Sequence, residues 1–134
     1  MRRTLLFSCL LLVPACAVPE RVVLSPLPEN GPPLPYAELL TRARVQATIA
    51  TEAFYLNKWA DVEDAARGLE QTARYLAKAE DVPAKQKDDL AALCTSLGKD
   101  AVKLRDAAKA QDEKAANESL QRLNLTIREL RLDK

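Results

Sequence analysis

The chain contains no histidine, and its single methionine is Met1. Their absence from the body removes the commonest general base and the commonest haem and metal ligands. A di-metal helical bundle, built on Glu-x-x-His pairs, is excluded with them. The three glycines, Gly31, Gly68 and Gly98, form no phosphate-cradling loop. All the aromatic residues lie at or before Tyr75 and make up 4% of the chain. An excess of one charge is also missing. Lys+Arg number 20 against 19 Asp+Glu, a net +1 that becomes −1 once Arg2 and Arg3 are set aside. Such a balance leaves no electrostatic footprint for nucleic acid. The adjacent carboxylates Glu63-Asp64 and Asp88-Asp89 point about 100° apart on a helix, which suits solvated faces and first-turn charges rather than an acid/base pair. No catalytic constellation, metal cluster or cofactor is therefore expected.

What is present begins with a leader. Met1-Arg2-Arg3 is positively charged, and Leu5 to Val13 is an apolar run. That run is far shorter than the about 20 residues a membrane helix needs, so it reads as a secretion signal over residues 1–15. The following Val13-Pro14-Ala15-Cys16 resembles a bacterial lipobox, in which the cysteine is acylated and becomes the mature N-terminus. The alternative is an ordinary cut in Ala15-Cys16-Ala17, which would discard Cys16. Acylation contributes about 0.8 kcal/mol per buried CH₂ and would anchor the chain at a membrane. Ala17 after the cysteine resembles outer-membrane sorting, which implies a position on the periplasmic side of the envelope. Residues 16–35 form a tether containing six of the eight prolines. Extended, residues 17–35 would reach on the order of 60 Å. A spacer is the simplest role, and a proline-recognition ligand is the alternative.

The body, residues 36–134, carries apolar residues at alternating spacings of three and four. The first seam is Tyr36, Leu40, Ala43, Ala47, Ala50, Phe54 and Asn57, widened by Leu39, Ile49, Ala53 and Leu56. The second is Trp59, Val62, Ala66, Leu69, Ala73 and Leu76, ending near Glu80-Asp81 before Val82-Pro83. The third runs Leu90, Cys94, Leu97, Ala101, Leu104, Ala108, and the fourth Ala116, Leu120, Leu123, Ile127, Leu130. Asn57-Lys58 marks a turn or cap, and Asp112 is a natural N-cap. Four such helices with short connections predict an all-α, up-down-up-down antiparallel four-helix bundle following the signal peptide and the proline-rich linker.

Several residues admit two readings. The small first seam allows either close helix packing or room for a ligand, and dense packing is the ordinary outcome. Phe54, Tyr55, Trp59 and Tyr75 are expected to group around one end of the first hairpin, the first and third in the core, Tyr55 and Tyr75 on an exposed contact surface. Leu125 and Leu132 lie off the fourth seam and suit either a dimer contact or plain surface positions. Cys94 reads as a small buried hydrophobe, with a reactive thiol or an intermolecular disulfide as the alternatives.

From Tyr36 onward the layout resembles the cytochrome c-prime type of exported four-helix bundle. Leu97 to Arg131 carries the likeness best, through LRDAAKAQDEKAANESLQRLN and a closing helix ending in arginine. That family attaches haem through C-x-x-C-H late in the closing helix, and a superposition sets Asn124, Ile127 and Arg128 at those positions. The resemblance thus implies the scaffold without covalent haem. The function expected is that of a non-catalytic, membrane-anchored envelope lipoprotein that binds a protein partner or a second copy, or has a structural role. The alternatives are a small-ligand-binding bundle on the haem-less scaffold and a thiol-dependent role for Cys94.

Overall fold

Pro35, at φ −56° and ψ 137°, turns an extended run into the first helix, α1 (Tyr36–Tyr55). The structure, a computed structural model, describes residues 24–131. Among these residues the elements are α1, α2 (Trp59–Leu76), a 3₁₀ turn at Ala84–Gln86, α3 (Lys87–Ala110) and α4 (Glu113–Glu129), with no strand. Each helix packs on its neighbour in sequence, and α4 returns against α1 to close the bundle.

The seams are the core. Leu39, Leu69, Leu97, Leu104 and Leu123 are fully buried, as are Ala43, Ala50, Ala66, Ala101 and Ala116. The small first seam serves close packing: Ala43, Ala47 and Ala50 are all covered. Gly68 on α2 lets α1 approach, because a Cβ there would sit 2.5 Å from Gln46 Nε2. The buried Thr72 hydroxyl answers Gln46, donating to its Oε1 at 2.8 Å.

Two helix ends are closed in the same way. Lys58 N–H bonds Ala53 O at 2.8 Å and Asn57 N–H bonds Phe54 O at 3.0 Å, with Asn57 left-handed at φ 55°. Asp112 N–H bonds Ala107 O at 2.9 Å and Gln111 N–H bonds Ala108 O at 3.1 Å, with Gln111 at φ 52°. This is the Schellman closure, which favours glycine at the left-handed position. Asn tolerates that region, whereas Gln has no such advantage. Gln111→Gly should therefore raise stability by about 0.5–1 kcal/mol, read as a higher urea midpoint at unchanged slope. Past this turn Asp112 caps α4, its carboxylate accepting from Ala115 N–H at 3.0 Å.

Three expectations are corrected. The second helix stops at Leu76, short of Glu80-Asp81. The freed residues let Asp81 Oδ1 accept Tyr36 N–H at 2.8 Å, so a distant loop caps α1 at its positive end. Leu56 does not widen the first seam: the Schellman turn carries it outside, 63% exposed. The same turn leaves Asn57, counted in that seam, exposed. Tyr75 lies at the end of α2 remote from Phe54, Tyr55 and Trp59, and is buried rather than exposed.

Candidate functional site

The helix connections sort the chemistry to two ends. At the base, where α1 begins, Tyr36 is buried and its hydroxyl donates to Leu130 O at 2.7 Å, tying the start of α1 to the end of α4. Cys94 is buried close by. Burial, and then the neighbouring Cys94, push the Tyr36 phenol above its usual range. Burial pushes the Cys94 thiol up to about 11. A thiol held protonated in apolar surroundings is packing material, not a poised nucleophile.

Against the base lies the last part of the proline-rich segment. Tyr75 Oη donates to Pro28 O and accepts Gly31 N–H at 3.2 Å. Arg42 donates through Nη2 to Ser25 O. Leu27 and Leu34 pack on the core. Gly31 is required by this approach, since a Cβ would fall 2.6 Å from both Tyr75 Oη and Pro28 Cγ. Residues 24–35 of the proline-rich segment thus lie folded onto the bundle.

The opposite end, roughly 28 Å away along α1, presents Tyr55 and Leu56, 75% and 63% exposed. Phe54 stands behind them, edge-on to Tyr55 at 5.5 Å and to Trp59 at 5.8 Å between ring centroids. Phe54 and Trp59 are half-buried against the core. The helix turn thus leaves an apolar ledge on an aromatic footing.

Between the ends the polar side chains are tied to one another. Asp100, buried on α3, accepts Arg122 Nε of α4 at 2.9 Å, while Arg122 also reaches Ser119 Oγ at 3.4 Å. On the other side Glu70 joins Arg74 at 2.7 Å and Arg105 at 2.9 Å, and Glu63 joins Arg67 and, at 3.9 Å, Lys109. The Asp100–Arg122, Glu70–Arg105 and Glu63–Lys109 pairs join neighbouring helices, whereas Glu63–Arg67 and Glu70–Arg74 lie within α2. Two hollows, one on α3 at Ala92, Ser96 and Lys99 and one in the α3/α4 groove at Lys103 and Glu118, are open to solvent.

Cys16 lies outside the described residues, as does Leu132. Of the positions that the haem-binding family would use, Asn124 and Arg128 are exposed and Ile127 is buried. Among the described residues no group of His, Cys, Asp and Glu is arranged to hold a metal. No helix among them is long and apolar enough to cross a membrane. Periodicity missed the Tyr75 contacts with Pro28 and Gly31, the Asp81 cap and the Asp100–Arg122 pair. The lone glycine in the proline run was the one local sign of the first. By class this is an all-α four-helix bundle with a folded-back N-terminal strap. No family model matches the chain, and no match was found among curated proteins or solved structures.

Proposed function

We propose that the chain is an exported, non-catalytic envelope lipoprotein. In this reading acyl chains on Cys16 anchor it on the periplasmic side, at the outer membrane, and the bundle offers its far end to a protein partner. The observation that carries the reading is the placement of the apolar ledge, Tyr55 and Leu56, at the end away from the one where residues 28–31 of the strap contact Tyr75. Exposed aromatic and aliphatic side chains on a rigid footing are what interface centres are made of. The lipobox-like Val13-Pro14-Ala15-Cys16 supports the anchor. The scaffold is taken to be of the cytochrome c-prime kind in up-down-up-down order. Support for the order comes from cross-helix pairs such as Glu63–Lys109 and Glu70–Arg105, in which one number rises as the other falls.

Two measurements test it. Growth with a palmitate analogue should label the wild-type chain and leave Cys16→Ser unlabelled; equal labelling, or none in either, removes the anchor. Photo-crosslinking from position 55 in intact envelopes should yield one discrete protein adduct that Leu56→Asp abolishes. An adduct pattern indifferent to that substitution removes the ledge as the contact.

A further inference from the structure

The strap at residues 24–35 is joined to the bundle differently from the rest of the chain. Every helix is embedded by a continuous apolar stripe, but the strap touches the core only through Leu27 and Leu34, both half-buried. Its other attachments are polar and few: Tyr75 to Pro28 and Gly31, and Arg42 to Ser25. Arg42, which holds Ser25, is itself incompletely paired, its Nε buried without a hydrogen-bond partner. Prolines limit what is lost on ordering, since Pro26, Pro28, Pro32, Pro33 and Pro35 are pre-set near the extended backbone that the strap adopts. A segment with few apolar contacts and a handful of hydrogen bonds opens at lower free energy than the core it covers.

We propose that residues 24–35 form a releasable clasp that sets how far the bundle stands from its point of attachment. The clasp itself is independent of lipidation; its effect on reach rests on the Cys16-anchored reading. Closed, the chain between Cys16 and Leu24 can span at most about 28 Å; open to Tyr36, at most about 70 Å. Tyr75 is the latch. Its hydroxyl serves both sides of the strap's turn, donating to Pro28 and accepting from Gly31, and neither contact survives its loss.

Glu29, exposed at the crest of that turn, gives a readout in the native chain. A glutamate-specific protease should cut after Glu29 about tenfold faster in Tyr75→Phe than in wild type, while helical circular dichroism and the urea midpoint of the bundle stay close to wild type. Gly31→Val, which collides with Tyr75 and Pro28, should do the same by a second route. Hydrogen exchange should show Gly31 N–H opening well before the α1 amides of Leu39 and Ala43. Equal cutting in wild type and both variants, or Gly31 exchanging only with global unfolding, would overturn the clasp. For reach, the lipidated full chain in phospholipid vesicles containing a dansyl-headgroup lipid offers Trp59, the single tryptophan, as donor. Transfer should fall in Tyr75→Phe. A chain that fails to float with the vesicles counts against the Cys16 anchor and leaves the clasp to the protease result. Equal, strong transfer in both overturns the clasp's control of reach.

Discussion

Leu97→Ala should lower the melting temperature of the bundle by about 12–24 °C. Leu97 is fully buried on α3, the helix that packs against both α2 and α4. Truncating it removes three carbons from a site that close-packed alanines on the neighbouring seams cannot refill. Leucine truncations of this kind cost about 3 kcal/mol, a transfer loss plus a cavity. At about 4–8 °C per kcal/mol for a domain of this size, the shift follows. Leu125→Ala, on the same scale of residue but 55% exposed, should change stability by no more than about 0.5 kcal/mol. Scanning calorimetry of the two variants separates core from surface leucine. A small effect at Leu97 would mean the bundle is loosely packed there, with room for something else.

The contrast between those two leucines was legible from spacing alone. Three-and-four periodicity placed Leu97 on a seam and Leu125 off it because burial in a bundle follows the helix's own geometry. Local side-chain chemistry, rather than periodicity, marked Asp112 as a cap and Asn57 as a turn, whereas the left-handed Gln111 carried no such sign. What periodicity could not see was set by pairs far apart in the chain. Asp81 caps α1 across 45 positions, and Tyr75 reaches Pro28 across 47. Tyr75 sits beside the seam residue Leu76, so a two-row pattern left it outside. In a bundle each helix buries a wider stripe, which takes in Ala65, Thr72 and Tyr75 as well. The docking of the strap was out of reach for a related reason. Proline does exclude helix and central strand, but an extended segment can still lie on a surface if a hydroxyl and a gap without a Cβ are waiting for it.

Raising the pH should weaken the fold from about pH 9 upward, and Cys94 should be the main cause. Burial lifts the Cys94 thiol from 9.0 to about 11, so the folded chain keeps a proton that the unfolded chain gives up. With more protons bound in the native state, stability falls as pH rises. The contribution is whole below pH 9 and is lost by the time pH passes about 11, on the order of 2 kcal/mol. Tyr36 adds to this with the same sign above pH 10, because its phenol is raised too and its hydroxyl must stay protonated to donate to Leu130 O. Urea midpoints should therefore be flat from pH 7 to 8.5 and then decline. Cys94→Ala should remove the part of the decline that begins near pH 9, and Tyr36→Phe the part above pH 10. The same burial bears on reactivity. At pH 8 the raised pKa alone leaves about 100-fold less thiolate in the folded chain, so a disulfide reagent should titrate Cys94 at least that much more slowly in native buffer than in denaturant. Fast native labelling, or a pH profile unmoved by Cys94→Ala, would instead mark an accessible thiol and reopen a chemical role for it.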